Sequence, residues 1–225
     1  MTNNLLIIGG MGPQASLRLH KLIIDESAKL GAKNNDEYPG IVHISIPVPD
    51  FINNTVNKNK AQSMLVKSLR PLRGYKFDNA VIACNTAHLL LKEVEAVLGI
   101  KPLSLINEAV EELKNKNVSK VGLLASQTTI KSRLYEDPLS KLGIQTIILP
   151  GNLQAKIETI IQSVIANQAK ADNCKNLISC TQILKGLGAQ KIILGCTELS
   201  VTANGYESND TIDPLALMAK KILKT

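Results

Sequence analysis

The chain has 225 residues, 44% hydrophobic and 20% charged, a composition typical of one or two folded globular domains. Its formal net charge is +7, but the basic residues are dispersed and no basic cluster is interleaved with aromatic residues, so we expect no nucleic-acid partner. No signal peptide or membrane-spanning apolar run is recognisable, so we expect a cytoplasmic protein without a membrane partner. Its four cysteines are then expected to be reduced thiols.

In the first half of the chain, short aliphatic runs alternate with amphipathic stretches. This alternation is typical of strands and helices around a parallel sheet. The predicted strands are 5–8, 41–46, 80–83 and 102–106. The predicted helices are 13–31, 60–72 and 87–98.

The same pattern begins again near Asn117. The predicted strands are 120–124, 144–149 and 191–194, and the predicted helices are 130–143, 153–187 and 214–223. Because the order of elements repeats, we predict an α/β protein with two pseudosymmetric lobes, each a mostly parallel sheet flanked by helices. The first lobe is predicted to contain residues 1–112 with the C-terminal segment 205–225, and the second residues 113–204.

Two cysteines occupy similar positions in the two halves, about half the chain length apart. Cys84 follows the apolar run 81–83, and Cys196 follows the run 193–195. Because open α/β sheets bind ligands at the carboxyl ends of their strands, we expect both thiols in the cleft between the lobes. Thiols on both sides of a bound molecule suit proton transfer without a cofactor, since one can remove a proton while the other delivers one. Two buried structural cysteines are the alternative.

The residues around these cysteines also indicate a site for an anion. A helix N-terminus lowers the pKa of a thiol, so we expect thiolate to form near neutral pH. Short polar side chains and turn amides follow both cysteines and are suited to holding a carboxylate. These residues are Asn85, Thr86, Thr197 and Glu198.

Four motifs in the chain resemble those of the Asp/Glu racemase superfamily, and the resemblance is closest to aspartate racemases. They are Gly9-Gly10-Met11-Gly12-Pro13, Pro49-Asp50, Cys84-Asn85-Thr86-Ala87-His88 and Leu194-Gly195-Cys196-Thr197-Glu198-Leu199. The match covers essentially the whole chain in order. It implies two facing lobes and an isomerase that racemises an amino acid by a two-base mechanism, without pyridoxal phosphate or any other cofactor.

The resemblance also implies the roles of individual residues. Cys84 and Cys196 become the paired proton donor and acceptor, and no metal is expected. The expected substrate-binding residues are Met11, Asn85, Thr86, Ser126, Thr129, Thr197 and Glu198. The implied partner is a small amino acid or dicarboxylate, with aspartate the first candidate and glutamate the next. A homodimer is the candidate assembly.

The sequence departs from the family pattern at the position expected to select the substrate. Phe51 stands where the Pro-x-Pro-Asp motif commonly continues into Arg, which pairs with the distal carboxylate of the substrate. Lysine does not reproduce the bidentate geometry of Arg, and Lys170 is the nearest candidate for a basic residue in the second lobe. Thr128 stands where Gly is usual. A less charged substrate, and a non-catalytic amino-acid-binding protein, are therefore alternatives.

Two other interpretations of these motifs are weaker. The pattern Gly10-x-Gly12-x-x-Ala15 formally fits a dinucleotide fingerprint, but Pro13 lacks an amide N–H and the second strand runs into Pro47 instead of an acidic residue. The glycines are better explained by a turn that approaches the substrate closely.

A zinc site is the second of the weaker interpretations. It would combine Cys84, His88, Cys196 and Glu198, but these residues lack the close ligand pairs of zinc motifs. His88 is better explained as a packed or turn-capping histidine, with a role in tuning Cys84 as the alternative.

Overall fold

Two parallel β-sheets, one from each half of the chain, organise this protein. The computed structural model describes residues 4–49, 58–168, 171–204 and 208–224. The strands are Asn4–Gly9 (β1), Gly40–Ser45 (β2), Asn79–Ile82 (β3), Lys120–Leu124 (β4), Gln145–Ile148 (β5), Lys191–Leu194 (β6) and Thr211–Ile212 (β7). The α-helices are Pro13–Lys29 (α1), Lys58–Leu69 (α2), Leu91–Leu98 (α3), Leu105–Lys114 (α4), Gln127–Lys131 (α5), Glu136–Lys141 (α6), Gly151–Ile165 (α7), Ala171–Gly186 (α8), Thr197–Thr202 (α9) and Pro214–Ile222 (α10). Short 3₁₀ helices cover Asn35–Glu37, Arg70–Leu72 and Thr86–Leu90.

The two sheets have equivalent strand orders. The first sheet is ordered β2-β1-β3 and the second β5-β4-β6-β7, with every pairing parallel. In each half the first strand is central and is flanked by the next two strands in the chain. The predicted fold class, α/β with two mostly parallel sheets flanked by helices, is confirmed.

The last helix of each half packs on the sheet of the other half. In the first half, α4 buries Ile106 and Val110 in a cluster with Val121 of β4. In the second half, α10 buries Leu215 and Met218 in a cluster with residues of β1. The two helices also contact each other. This exchange joins the halves through apolar burial, and the predicted lobe boundaries stay a prediction.

The strand predicted over 102–106 is wrong. Leu103 forms only an isolated bridge with Val81, and α4 begins at Leu105. The Ser104 side chain caps this helix by accepting a hydrogen bond from the Asn107 N–H at 3.2 Å. The buried residues of α4 recur at helical spacing and are Leu105, Ile106, Ala109, Val110 and Leu113. The helical pattern therefore starts inside the predicted strand.

Other differences concern short elements. The helical region predicted over 153–187 contains two helices, α7 and α8, and the one predicted over 130–143 contains α6 and only the last two residues of α5. The sequence pattern predicts neither α9 nor β7. Both are short, with six and two residues, which leaves little periodicity to recognise. No helix in the described part of the chain has the length and apolarity needed to cross a membrane.

The turn after β1 requires glycine at one position. Gly10 has a φ of +93°, and a Cβ atom there would lie 2.4 Å from the backbone nitrogen of Ile46. The same nitrogen donates a hydrogen bond to the Gly9 carbonyl oxygen at 2.9 Å. The turns that follow β1 and β2 therefore approach each other more closely than any side chain at position 10 allows.

We expect Gly10→Ala to lower the free energy of unfolding by at least about 3 kcal/mol, because the backbone clash adds to the cost of a positive φ. The control is Gly99→Ala, since Gly99 has a φ of +75° but a Cβ there would meet nothing within 4 Å. That variant should lose only about 1 kcal/mol. Urea unfolding measures both values. Equal losses in the two variants would show that the contact with Ile46 is unimportant.

Candidate active site

A cavity of about 150 Å³ lies where the carboxyl ends of strands from both sheets meet. Its lining residues follow β1, β2, β3, β4 and β6, with Ile165 added from the end of α7. Most of the predicted site residues are among them. They are Met11, Cys84, Thr86, Ser126, Cys196 and Glu198.

The remaining predicted residues do not line the cavity but are buried next to residues that do. Thr129 contacts the Thr86 hydroxyl, and Thr197 contacts the Glu198 carboxylate. Asn85 lies between two lining residues in the chain and accepts a hydrogen bond from Tyr135. The structure therefore places six of the nine predicted residues on the cavity wall and the other three buried beside them, and their roles stay predictions.

The two cysteines reach the cavity from different sheets. Cys84 follows β3 of the first sheet, and Cys196 follows β6 of the second and forms the N-cap of α9. Each cysteine is only 7% exposed. All four cysteines of the chain lie in the described part, and none forms a disulfide. The cavity is thus lined by two thiols from equivalent positions of the two halves.

The Cys196 thiol is held in its protonated form. Burial raises the pKa of Cys196 well above its ordinary value, and the negative charge of Glu198 raises it further. The thiol donates a hydrogen bond to Glu198 Oε2 at 2.9 Å. The expectation that a helix N-terminus lowers the thiol pKa is wrong for Cys196, because burial and the carboxylate beside the sulfur both raise the pKa.

Glu198 connects the two lobes at the floor of the cavity. Its Oε1 accepts a hydrogen bond from the Gly12 N–H at 3.3 Å, and its Oε2 accepts one from the Thr197 hydroxyl at 3.3 Å. Burial raises the pKa of the Glu198 carboxyl. A Cβ atom at position 12 would lie 2.9 Å from Oε1, so glycine at this position permits the contact.

Three hydroxyl groups form a cluster across the lobes. The Thr86 hydroxyl lies 2.9 Å from that of Thr129 and 3.3 Å from that of Ser126. The Ser126 hydroxyl donates to Thr129 at 3.1 Å, and its oxygen also accepts the Thr129 N–H. Ser126 is the N-cap of α5. Because Ser126 donates its single O–H to Thr129, the Thr86 hydroxyl, which also lines the cavity, is the one that can direct an O–H bond toward a carboxylate there.

The sequence did not single out Tyr135. This residue lies at the start of α6 in the second half and is fully buried, and its hydroxyl donates to Asn85 Oδ1 at 2.5 Å. Burial raises the pKa of the phenol well above its ordinary value, and the negative charge of Asp213 raises it further. No motif marks this tyrosine. Val48 and Ile165 also line the cavity without having been predicted.

His88 has a structural position behind Cys84. Its Nε2 accepts the Leu105 N–H at 2.9 Å, so Nδ1 carries the proton and donates to the Cys84 carbonyl oxygen at 2.9 Å. Both ring nitrogens therefore bind backbone groups, which confirms the packed, capping interpretation and removes His88 from the suggested zinc site. Among the residues that the structure describes, no group of three His, Cys, Asp or Glu side chains is arranged to hold a metal ion.

His88 is expected to make stability depend on pH. Burial lowers its pKa from the ordinary 6.5 to about 4, so the unfolded chain binds the proton more readily. Its contribution is complete above pH 6.5 and decreases by about 3 kcal/mol as the pH falls to 4. In His88→Gln this decrease should be missing. Urea unfolding of both proteins at several pH values between 4 and 7.5 measures the difference, and parallel curves would contradict the expectation.

Some residues discussed for substrate selection lie outside the described part of the chain. They are Asp50, Phe51 and Lys170. The predictions made for them stay predictions. Thr128, where the family usually has Gly, lies in α5.

Comparison with known proteins identifies the family of the chain. The family model described as "Asp/Glu/Hydantoin racemase" matches residues 8–222. The broad specificity amino-acid racemase RacX of Bacillus subtilis (strain 168) is 25% identical over 224 residues, which are 97% of this chain and 96% of that protein.

Solved structures show the same likeness. The structure of Picrophilus torridus aspartate racemase has a TM-score of 0.81 and 25% identity, and the match covers 99% of this chain and 93% of that one. Glutamate racemase from Francisella tularensis subsp. tularensis SCHU S4, in complex with D-glutamate, has a TM-score of 0.67 at 17% identity, covering 99% of this chain and 80% of that one. The second likeness concerns the fold alone.

The resemblance seen in the motifs is thus confirmed over nearly the whole chain. Two equivalent lobes, a shared cavity and a family match from residue 8 to residue 222 lead to one conclusion. This chain belongs to the Asp/Glu/Hydantoin racemase family.

Proposed function

We propose that this chain is a cofactor-independent amino-acid racemase in which Cys84 and Cys196 transfer the Cα proton. One observation carries the proposal: two thiols from equivalent positions of the two halves line one cavity. Racemisation requires a proton to leave one face of Cα and another to arrive on the opposite face. A pair of groups that reach a cavity from opposite lobes can perform both transfers.

In the proposed reaction, a thiolate removes the Cα proton and becomes a thiol. The electron pair of the broken C–H bond moves into the α-carboxylate, and the opposite thiol then protonates Cα and becomes a thiolate. The protein therefore ends with its two cysteines in exchanged protonation states. Because Cys196 is held as a thiol beside Glu198, it is the proton donor in the resting enzyme, and Cys84 is the proton acceptor.

The same pair must also work in the reverse direction, when Cys196 removes the proton. Its thiol then has to lose a proton in a buried site. Glu198 Oε2 lies 2.9 Å from the sulfur and belongs to a carboxyl group whose pKa is raised by burial. A carboxylate with a raised pKa accepts a proton more readily, so we assign Glu198 as the acceptor for the Cys196 proton. In this direction the Cys84 thiolate first takes a proton from water, and the resulting thiol is the donor on the opposite face of Cα.

Polar groups around the thiols are proposed to hold the α-carboxylate of the substrate. The Thr86 hydroxyl lines the cavity and is the proposed donor, and the hydroxyls of Ser126 and Thr129 hold it in place. Asn85 lies buried beside Cys84 and is proposed to contribute an amide N–H. Thr197 donates its hydroxyl to Glu198 and is proposed to support that carboxylate. Negative charge accumulates on this carboxylate during proton removal, so donors fixed in advance favour the transition state.

The motifs and the cavity wall both bear on the side chain of the substrate. The motifs favour aspartate and then glutamate. A specific observation favours the alternative of a less charged amino acid: Met11, Val48, Pro49 and Ile165 form an apolar part of the cavity wall. None of the described lining residues is a cation, and Phe51 stands where the family commonly has Arg. Cytoplasmic location and a homodimeric assembly stay predictions.

The experiment that tests the function is Cα proton exchange in deuterated water. Purified, metal-free protein is incubated under reducing conditions, without added cofactor, with each enantiomer of aspartate, glutamate and the common neutral amino acids. Proton NMR follows loss of the Cα signal, and chiral chromatography follows formation of the opposite enantiomer. We expect both for at least one amino acid. Absence of exchange across the whole panel would contradict the proposal and favour an amino-acid-binding protein.

A further inference from the structure

Tyr135 joins the second lobe to the predicted substrate-binding segment of the first. Its ring is fully buried in an apolar cluster that includes Leu123 and Leu139. Its hydroxyl donates to Asn85 Oδ1 at 2.5 Å. Burial raises the pKa of the phenol, so the hydroxyl keeps its proton and acts as a donor throughout the neutral pH range.

This contact determines which end of the Asn85 amide is available. A side-chain amide has one acceptor oxygen and one donor nitrogen, on opposite sides of a plane. With Oδ1 held by the phenol, Nδ2 faces the other way. Nδ2 is buried and has no hydrogen-bond partner among the residues that the structure describes. Buried donors are almost always paired, so an unpaired one beside a cavity indicates a group that a ligand completes.

The neighbours of Asn85 indicate where that ligand lies. Cys84 and Thr86, on either side of Asn85 in the chain, both line the cavity. Asn85 itself is only 2% exposed, so bulk water does not satisfy its amide. A carboxylate oxygen held between Cys84 and Thr86 would accept the N–H of Nδ2. If the amide were turned by half a rotation, it would present Oδ1 to the same carboxylate and repel it.

We propose that Tyr135 is a positioning residue that fixes the Asn85 amide with its N–H group toward the carboxylate of the bound amino acid. The inference rests on the proposed function for the identity of the ligand. It adds a residue outside the cavity that determines whether the Asn85 amide presents its N–H group or its oxygen to the ligand. In this role Tyr135 touches neither the substrate nor the thiols and acts only through Asn85.

The test begins with Tyr135→Phe, which removes the hydroxyl and keeps the buried ring. We expect kcat/KM to fall about 10- to 100-fold, because the amide is no longer held in the donating orientation. The matched control is Tyr75→Phe, since the Tyr75 ring is 52% exposed and packs against Phe77. That variant should keep its activity. Unchanged kcat/KM in an active Tyr135→Phe enzyme would overturn the inference.

A double-mutant cycle separates positioning from packing. If Tyr135 acts through Asn85, adding Tyr135→Phe to Asn85→Ala should lower kcat/KM by less than about twofold. If the tyrosine is purely structural, Tyr135→Phe should lower the melting temperature by the same number of degrees in wild type and in Asn85→Ala. It should also lower kcat/KM by the same factor in both proteins. Such additivity would overturn the inference even if the single variant is impaired.

Ligand binding distinguishes failure of this inference from failure of the proposed function. Titration calorimetry with L-aspartate and with L-alanine measures affinity without requiring turnover. If wild type binds either probe but does not racemise it, weaker binding by Tyr135→Phe than by Tyr75→Phe would still support the positioning role. Equal binding by these two variants would overturn that role. If wild type neither binds nor racemises any amino acid tested, both proposals are wrong.

Discussion

Replacing either Cys84 or Cys196 by serine is expected to lower kcat for racemisation by about 10³-fold or more, because each variant lacks one of the two proton transfers. A serine hydroxyl in the same position is a far weaker acid and base than a thiol. Each single variant should still exchange the Cα proton of one enantiomer with deuterated water, namely the enantiomer whose proton faces the remaining cysteine. NMR exchange and chiral chromatography, run on the same samples, measure the two activities separately.

Cys174→Ser is the matched control. Cys174 is a half-buried thiol on α8 and is absent from the cavity lining, so the control should racemise at the wild-type rate. Complete racemase activity in either cavity variant would rule out the two-thiol mechanism. The same exchange pattern in Cys84→Ser and Cys196→Ser would contradict the assignment of the two cysteines to opposite faces of Cα.

Glu198→Gln is expected to slow racemisation by about 10²-fold or more at neutral pH. The glutamine keeps the shape of the side chain and can still accept the Gly12 N–H, but it cannot take the proton from the Cys196 thiol. Because the two enantiomers have equal free energies, kcat/KM should fall equally in both directions. The partial exchange reaction should fall more for the enantiomer whose proton Cys196 removes.

The same variant should change the pH profile in a defined direction. The negative charge of Glu198 raises the pKa of Cys196 beyond the effect of burial, and the glutamine removes that charge. The pKa of Cys196 should therefore fall. Since the thiol form is present only below its pKa, the proton donor is lost at lower pH, and the alkaline limb of the rate profile should move to lower pH.

The control for this change is Glu95→Gln, because Glu95 lies exposed on α3. It should alter neither the rate nor the pH profile. An unchanged alkaline limb in Glu198→Gln would show that the charge of Glu198 does not act on Cys196. If Glu198→Gln racemises at the wild-type rate, Glu198 does not accept the Cys196 proton, and its role is limited to the structural contact with Gly12.

The elements that the sequence predicts correctly are those with a clear local pattern. Aliphatic runs bounded by glycine or proline predict β1, β2 and β5, and amphipathic spacing predicts α1 and α10. The apolar pattern of segment 102–106 predicts a strand, but the segment leads into a helix instead. Its first apolar residues fit either structure, and only the burial of α4 against the second sheet separates the two.

The positions of the two cysteines follow from the same local pattern, but the pKa values of their thiols do not. A residue directly after a parallel strand lies at the carboxyl edge of its sheet, so the sequence alone assigns Cys84 and Cys196 to one cleft. The pKa of Cys196 depends on how deeply the thiol is buried and on the charge of Glu198 beside it. A helix N-terminus alone suggests the opposite direction.

The sequence by itself determined the fold class, the family and six of the residues that line the cavity, because strand periodicity and turn motifs act over a few residues. Only the tertiary structure decided three other features. They are the packing of α4 and α10 on the sheet of the opposite half, the hydrogen bonds of the uncharged His88 ring to backbone groups, and the contact of Tyr135 with Asn85. These features depend on burial and on hydrogen bonds between distant residues. The Tyr135 hydroxyl reaches Asn85 across 50 positions, and Glu198 reaches Gly12 across 186; packing creates such contacts, and no local pattern encodes them.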